Sequence, residues 1–444
     1  KLLRFTKRTK EKLGYQKYYR KYKVDNKTIF FETFNGRTYG CSPKAIYEEM
    51  TKMKEFKDYT FVWSFVDPEK HEVKQNKNLI IVKHGSPDYY KYFSIAKYWI
   101  VNSIVEESIE KKEEQIYVQC WHGTPLKRLR CDIEVDGAVL NTVEEIRKRN
   151  DIDAKRFDYF ISPSKFCTEK FTSAFNLKNL GKEDIIIEEG YPRNDSLFHY
   201  TEKDVKRIKK KWNIPEDKKV IFYLPTFRDN QHESGVGYTY NLGIDFESLK
   251  EKFQDEYVIL FSPHYFVAKQ VDVSKYEGFV INVTENDDIN DMYIVSDIVM
   301  TDYSSVFFDF ANLKRPMLFY MYDLDIYKGK LRDFYLDLEE LPGPIAETQE
   351  DLEKNLKNID KEFKKNKYYT EVNKDNIEEL TNYIIKFSTW MEDAQDIYDF
   401  NLESINEGDL FFQKIDENYP PYGYIHIYYY DIETHTLYYM HSNI

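Results

Sequence analysis

Two histidines follow predicted buried strands and are the first candidates for acid–base chemistry. His122 lies in the segment Cys120–Lys127 (CWHGTPLK), just after a predicted strand. Gly123 permits close approach of the backbone, and Thr124 and Pro125 are typical N-cap and N1 residues of a helix. Because a helix N-terminus disfavours an imidazolium, this position predicts a neutral general base. On this segment alone, a structural histidine held in a loop is an equally good interpretation.

The second histidine, His264, stands in the segment FSPH, directly after the predicted strand Tyr257–Phe261. In open α/β sheets, functional groups lie at the carboxyl ends of the strands. His122 and His264 occupy equivalent strand ends of two α/β units, so they would face each other across a cleft. This coincidence favours a functional interpretation of both.

A third segment has the residue types of an anion site. The predicted strand Ile298–Thr301 runs into Asp302, and Ser304 and Ser305 then open an apolar helix. Backbone N–H groups and hydroxyls at a helix start suit phosphate or diphosphate. Simple N-capping by Ser304 is the alternative and is compatible with phosphate binding. Arg228 follows another strand and could clamp phosphate oxygens, although a surface arginine paired with its acidic neighbour is the commoner case.

Other signatures are absent or weak. The sequence has neither G-x-G-x-x-G after its first strand nor G-x-x-x-x-G-K-[ST], which argues against dinucleotide and P-loop enzymes. Asp323 and Asp325 form a D-x-D triplet, but such triplets are frequent in an acidic chain. His426, His435 and His441 lack the neighbours of a metal site. We therefore predict neither a metal nor a cofactor.

These residues sit in two successive α/β series, which predict parallel, doubly wound sheets. The predicted strands of the first series are Thr28–Phe34, Tyr59–Phe65, Asn78–Lys83, Tyr98–Val101, Gln115–Gln119 and Tyr159–Ser162, with helices over Pro43–Lys54 and Ser86–Ile95. After a charged helix, Thr201–Trp212, the second series has strands Val220–Leu224, Tyr257–Phe261, Phe279–Asn282, Ile298–Thr301 and Met317–Phe319, with helices Phe246–Lys252, Ile289–Val295, Ser305–Asn312 and Gln349–Asn358.

The ends of the chain differ from its middle. Residues 373–391 are helical by periodicity, and the aromatic tail predicts a β-hairpin with its turn near Asp431–Thr434. We predict a basic amphipathic segment (1–23), an N-terminal Rossmann-like domain (24–200), a C-terminal Rossmann-like domain with a returning helix (201–392) and a β-rich extension (393–444).

Composition bounds the function further. The 444 residues are 42% hydrophobic and 32% charged with a net charge of −13, which excludes a disordered chain and argues against a nucleic-acid binder. The four cysteines are widely spaced and fit a reducing compartment.

Residues 1–23 hold ten Lys or Arg and one Glu. Such a segment either lies on an anionic membrane surface or forms a solvated basic helix. No signal peptide or bilayer-length apolar run is recognisable, and the first residue is not Met.

Taken in order, the motifs resemble those of the CDP-glycerol glycerophosphotransferase family, which includes teichoic acid primases and polymerases and related capsule polymerases. The segments that carry the resemblance are FNGRTYGCSPKAIYEEM, CWHGTPLKRL, FDYFISPSKFCTEKFTSAF, GYPRNDSLF, FYLPTFRD, FSPH and DINDMYIVSDIVMTDYSSVFFDFANLKRPMLFY. They span about residues 28–390, and the pairing of WHGTPLK with TDYSS is highly specific.

The resemblance implies a GT-B-like fold, in which a CDP-activated polyol is held by the C-terminal domain and the acceptor by the N-terminal domain. Its catalytic histidines fall on His122 and His264. Its substrate-binding positions fall on Arg228, Thr301, Asp302, Ser304, Ser305, Gly123, Thr124, Asp195 and Asp288. The implied reaction moves glycerol phosphate, or another polyol phosphate such as ribitol phosphate, to a lipid-linked or growing chain at the cytoplasmic face of the membrane.

Two other interpretations stay open at this point. One is a GT-B glycosyltransferase that uses a nucleotide sugar, and the other is a non-catalytic module that binds membrane or wall polymer. The residues do not discriminate CDP-glycerol from CDP-ribitol, a primase from a polymerase, or a teichoic acid from a capsule product, and they leave the oligomeric state open.

Overall fold

The computed structural model describes residues 14–134, 142–226, 232–233, 237–238, 243–263, 271–324, 334–336, 338–364, 370–371, 410–416, 424–431 and 436–443. These residues fall into two compact units. The larger comprises residues up to 315, 319–340 and 345–352, and the smaller comprises 316–318, 341–344 and 353 onward. Among the described residues, no helix combines the length and apolar character needed to cross a membrane.

The first sheet has seven parallel strands in the order β3-β2-β1-β4-β5-β6-β7. Its strands are β1 (Asp25–Glu32), β2 (Thr60–Phe65), β3 (Leu79–Lys83), β4 (Ala96–Val101), β5 (Ile116–Gln119), β6 (Tyr159–Ser162) and β7 (Ile186–Glu188). Six of them were predicted to within a few residues, and β7 was not predicted. Its three residues, two of them exposed, carry too little apolar signal.

Helices cover both faces of this sheet. They are α1 (14–21), α2 (Cys41–Met50), α3 (Pro87–Ile95), α4 (Val143–Ala154) and α5 (Lys165–Ala174). In β1, Phe30 packs into one core and Ile29 and Phe31 into another. Because successive side chains of a strand point to opposite faces, these two cores lie on opposite sides of the sheet. Burial on both faces explains the continuous apolar runs that made the strands recognisable.

Helix α1 packs against the first sheet's core. Tyr15 is fully buried, and its hydroxyl donates a 2.6 Å hydrogen bond to the carbonyl of Glu110. The ring of Tyr19 lies beside it, with centroids 6.0 Å apart. Tyr15 and Tyr19 of the basic segment are therefore used for packing within the chain.

The second sheet has six strands in the order β12-β11-β8-β13-β14-β15. They are β8 (Lys219–Leu224), β11 (Tyr257–Phe261), β12 (Val280–Asn282), β13 (Ile298–Thr301), β14 (Met317–Tyr320) and β15 (Ile345–Ala346). Helices α6 (Ser196–His199) and α7 (Glu202–Lys211) follow the first sheet. The later helices are α8 (Phe246–Phe253), α9 (Ile289–Val295), α10 (Val306–Phe310), α11 (Gln349–Lys357) and α12 (Ile359–Lys364). Short strands β9 (His232–Glu233) and β10 (Gly237–Tyr238) pair with each other.

The helix expected to begin at Thr124 and Pro125 does not form, so that prediction was wrong. Trp121 has φ 45°, which turns the chain out of β5. Leu126 then accepts a 2.8 Å backbone hydrogen bond from Tyr335, and Lys127 bridges Phe334. Because the Leu126 carbonyl is paired with another segment here, it is not available for a helical bond.

The smaller unit contains an antiparallel sheet in the order β16-β17-β18-β19. Its strands are β16 (Thr370–Glu371), β17 (Leu410–Asp416), β18 (Tyr424–Asp431) and β19 (Thr436–Asn443). Strands β18 and β19 pair from Tyr424↔Asn443 to Asp431↔Thr436, which confirms the predicted hairpin. The helix predicted over residues 373–391 lies outside the described residues.

Candidate active site

A cavity of about 480 Å³ collects residues from the carboxyl ends of both parallel sheets. Phe34, Arg37, Thr38 and His122 come from the first sheet's loops, and Cys41 is the first residue of α2. Arg193 follows that sheet in sequence. The remaining lining residues come from the second sheet and its helices: Phe222, Ser262, Pro263, Val283, Thr284, Asn286, Asp287, Ile289, Met292, Tyr293, Ser305, Val306 and Asp309.

His122 is fixed in one tautomer by a backbone contact. Its Nδ1 lies 2.7 Å from the carbonyl oxygen of Asn102, at the end of β4. A carbonyl oxygen can only accept, so Nδ1 carries the proton and Nε2 of the neutral ring keeps its lone pair. The rings of Trp121 and Phe34 pack at centroid distances of 4.0 and 5.4 Å. The imidazole is thus oriented as a general base is oriented, by a bond to its other nitrogen.

The environment of His122 disfavours its cation. Burial lowers the pKa of His122 to about 4, and the charges of Arg130 and Arg193 act in the same direction against the opposing bond to Asn102. The neutral imidazole expected from the sequence is therefore retained, but its cause is desolvation and not a helix dipole.

Ser305 follows the second sheet's strand β13, directly before α10, and lies against the residue after His122. A Cβ placed on Gly123 would be 2.9 Å from the Ser305 Oγ, closer than real Cβ atoms approach. The absence of a side chain at Gly123 therefore lets the two segments meet. Of the residues predicted from the sequence, the cavity brings together His122 and Ser305, with Gly123 in contact between them.

A buried ion pair that sequence reasoning missed lies at the same cavity. The Nη2 atom of Arg193 lies 3.0 and 2.8 Å from the two carboxylate oxygens of Asp309. The Arg193 Nη1 donates to the Cys41 Sγ at 3.4 Å, and its guanidinium lies 4.1 Å from the ring centre of Tyr191. Burial lowers the pKa of Arg193, but the charge and hydrogen bond of Asp309, together with Cys41 and Tyr191, outweigh burial and the net pKa is raised. In the sequence, the arginine of the segment GYPRND, which is Arg193, was the signal that could have pointed to this pair.

The rim of the cavity joins loops of the two sheets. The Asp287 carboxylate lies 2.7 Å from His71 Nδ1 and accepts a 3.3 Å bond from the Tyr39 N–H. Asp288 caps α9 by accepting from the Asn290 N–H, and it forms a 2.6 Å ion pair with Lys44. Asp288, predicted to bind substrate, is therefore engaged in capping and in an ion pair.

Two further predicted residues use their polar atoms inside the second sheet. The Thr301 hydroxyl donates a 2.7 Å bond to the carbonyl of Leu224 and is fully buried. The Asp302 carboxylate accepts the Thr226 N–H at 2.9 and 3.0 Å and the Tyr303 N–H at 2.6 Å. Thr301 thus holds the end of β8, and Asp302 holds Thr226, two residues before the predicted Arg228.

The other predicted residues divide into two groups. Thr124, Ser304 and Asp195 are not among the lining residues: Thr124 is buried beside the Cys167 thiol, and Asp195 is exposed. Arg228 and His264 lie outside the described residues. Ser262 and Pro263, which directly precede His264, line the cavity. Among the described residues, no group of three or more His, Cys, Asp or Glu side chains could hold a metal ion.

The strand ends of two parallel α/β sheets line one cavity. This arrangement, and the structural similarity of the chain to a solved wall teichoic acid polymerase, define a GT-B-like fold, as predicted. The chain belongs to the CDP-glycerol:poly(glycerophosphate) glycerophosphotransferase family, whose sequence profile matches residues 15–382. The family resemblance seen in the sequence is thereby confirmed.

Individual relatives support this assignment. The chain is 42% identical over 341 residues to a teichoic acid poly(glycerol phosphate) polymerase of Staphylococcus epidermidis, covering 76% of this chain and 46% of the relative. It thus spans a little under half of that protein. It is 37% identical over 171 residues to a teichoic acid poly(ribitol-phosphate) polymerase of Bacillus spizizenii, covering 38% of this chain and 27% of the relative. A solved structure of the wall teichoic acid polymerase TagF has TM-score 0.74 and 40% identity, covering 81% of this chain and 86% of that one.

Proposed function

We propose that this chain transfers glycerol phosphate from CDP-glycerol to a hydroxyl of a growing or lipid-linked teichoic acid chain. The observation that carries the proposal is the 2.7 Å bond from His122 Nδ1 to the Asn102 carbonyl, on a side chain that lines the cavity. It leaves Nε2 as a base that is neutral at physiological pH. Family membership supports the donor and the acceptor.

The reaction needs one proton acceptor and stabilisation of phosphate charge. His122 Nε2 takes the proton of the acceptor hydroxyl, whose oxygen attacks the β-phosphorus of CDP-glycerol. The bond from that phosphorus to the bridging oxygen breaks, and CMP leaves with the bond's electron pair. Charge builds up on the phosphoryl oxygens, where hydrogen-bond donors lower the barrier.

We assign the phosphate contacts to residues of the second sheet. The Ser305 hydroxyl lies next to Gly123 and so lies close to the proposed base. Arg228 and His264 remain predicted phosphate ligands; the position of Ser262 and Pro263 at the cavity supports the role of His264. This assignment agrees with the proposed division into an acceptor domain (24–200) and a donor domain (201–392).

We propose glycerol and not ribitol as the polyol. The similarity to the poly(glycerol phosphate) polymerase covers twice as much of this chain as the similarity to the ribitol-phosphate polymerase, 76% against 38%. The test is mass spectrometry of products after separate incubation with CDP-glycerol and CDP-ribitol. Extension only with CDP-ribitol would contradict the proposal.

The activity itself is tested by CMP release with CDP-glycerol and a glycerol phosphate acceptor. His122→Ala should reduce turnover by about a hundredfold or more, as removal of a general base does. The matched control is His199→Ala, since His199 is exposed and does not line the cavity. Near wild-type turnover of a folded His122→Ala protein would show that another group is the base.

We further propose that the basic N-terminal segment brings the enzyme to an anionic membrane surface at the cytoplasmic face. The ten Lys or Arg of residues 1–23 supply the charge. Sedimentation with vesicles of phosphatidylglycerol and phosphatidylcholine should show binding that weakens with salt. Deleting residues 1–13, which precede the packed Tyr15 and hold six of the ten basic residues, should weaken it strongly; unchanged binding would assign the contact to another surface.

A further inference from the structure

A second histidine–carboxylate pair stands at the carboxyl edge of the first sheet, apart from His122. His84, directly after β3, has its Nδ1 2.8 Å from the Glu32 Oε2 at the end of β1. The Ser64 hydroxyl of β2 donates to the same oxygen at 2.6 Å. Three neighbouring strands thus converge on one carboxylate.

Burial makes this arrangement asymmetric. The Glu32 side chain is 6% exposed, whereas that of His84 is 23% exposed. A buried carboxylate is costly unless it is paired with a cation and hydrogen-bonded. Glu32 therefore favours the imidazolium, in which the second ring nitrogen, Nε2, also carries a proton.

The charged groups around His84 support a cation. Burial lowers the pKa of His84, but the hydrogen bond and charge of Glu32, aided by Glu106, outweigh it and raise the net pKa. Arg37 opposes the cation through its own charge. The Tyr89 ring packs at a centroid distance of 4.6 Å.

The pair lies beside the cavity. A Cβ on Gly36 would be 3.3 Å from the His84 Cβ, and the next residue, Arg37, lines the cavity. Glu32 ends β1, and His122 follows β5, which is two strands away in the sheet. His84 itself follows β3, four strands from β5, and its ring reaches Glu32 at the end of β1. Two to four strand spacings are about 10–20 Å, a distance that the first two or three repeats of an extended polyol phosphate chain can bridge.

We propose that His84, oriented by Glu32, binds a backbone phosphate of the acceptor chain, upstream of the hydroxyl that reacts at His122. This inference rests on the proposed function and adds a subsite to it. A fixed cation at this edge would hold an anionic chain in register while its terminal hydroxyl enters the cavity. A donor phosphate offers the same chemistry, so the experiment must separate the two sources.

The experiment measures steady-state CMP release with CDP-glycerol and synthetic acceptors of one, two and three glycerol phosphate repeats. His84→Gln should raise KM for the longer acceptors by about tenfold, which is the factor expected from the loss of one hydrogen bond to a charged group. KM for CDP-glycerol should stay within about twofold. His199→Gln is the control histidine, and circular dichroism and Tm verify folding of each variant.

Rescue and pH dependence separate binding from a structural role. His84→Lys keeps a cation and should restore most of the acceptor affinity. In the wild type, acceptor KM should rise as pH passes above the raised pKa of His84, and His84→Lys should remove this rise. A merely structural pair would lower Tm without either effect.

The outcomes are distinct. If KM for CDP-glycerol rises instead, or if acceptor KM is unchanged in His84→Gln, the subsite is wrong. A loss of Tm that Lys does not rescue also overturns it. If the wild type releases no CMP with CDP-glycerol, the proposed function fails, which is a separate result.

Discussion

Nη2 of Arg193 lies within 3.0 Å of both carboxylate oxygens of Asp309, which joins the segment after the first sheet to helix α10 of the second. Arg193 and Asp309 are 5% and 7% exposed. Asn194 adds a 3.0 Å bond to the same carboxylate. Since Ser305 stands one residue before α10, the pair also holds the hydroxyl that meets Gly123.

Breaking this pair from one side should be strongly destabilising. Asp309→Asn leaves the guanidinium buried without its counter-charge, and we expect the free energy of unfolding to fall by about 3–5 kcal/mol. The double variant Arg193→Met with Asp309→Leu should recover much of this loss. Urea denaturation measures both. Lys52→Ala, which removes the exposed pair with Glu49, is the control and should change little. Equal losses of unfolding free energy in Asp309→Asn and Lys52→Ala would contradict this expectation.

The pH dependence of catalysis should reflect the lowered pKa of His122. Because burial lowers the pKa of His122 to about 4, the base stays neutral down to that pH. The acidic limb of kcat/KM that belongs to His122 should therefore lie near pH 4 and not near the ordinary 6.5. The measurement is a profile of CMP release from pH 4 to 8, with stability monitored in parallel. A limb near 6.5 would indicate that His122 is solvated during turnover.

The same group should make folding stability depend on pH. The unfolded chain protonates His122 below about pH 6.5, whereas the folded chain does so only near 4. The contribution of the neutral form is therefore complete above pH 6.5 and is lost as pH falls towards 4. His122→Gln should flatten this part of the Tm profile. A profile identical to that of the wild type would mean that the folded state does not resist protonation of this ring.

Gly123→Ala tests the contact between the two sheets. The new Cβ would meet the Ser305 Oγ at 2.9 Å, so the hydroxyl or the loop must shift. We expect a loss of about 1–3 kcal/mol in unfolding free energy and a lower kcat/KM. Ser305→Ala removes the clashing oxygen and should rescue the stability of Gly123→Ala, but not its activity. Gly14→Ala, where nothing lies within 4 Å, is the matched control.

Some of this organisation is readable in the sequence and some is not. Strands Tyr257–Phe261 and Ile298–Thr301 form as predicted because they are apolar runs buried on both faces. The neutral state of His122 was predicted for the wrong reason, since the left-handed backbone of Trp121 replaces the expected helix. Arg193 and Asp309 are 116 residues apart, so no local pattern links them. The Glu32, Ser64 and His84 cluster depends on strand order, which periodicity does not specify.

Thr301 allows the structural and substrate-binding interpretations to be separated. Its hydroxyl is fully buried and donates to the Leu224 carbonyl at 2.7 Å. Thr301→Val should therefore cost about 1–3 kcal/mol of unfolding free energy, because it leaves a buried carbonyl without that donor. KM for CDP-glycerol should not change, since the hydroxyl is already engaged. Thr301→Ser, which keeps the donor, should retain most of the stability. A large rise in KM with unchanged stability would instead mean that Thr301 contacts the donor, as the family resemblance implies.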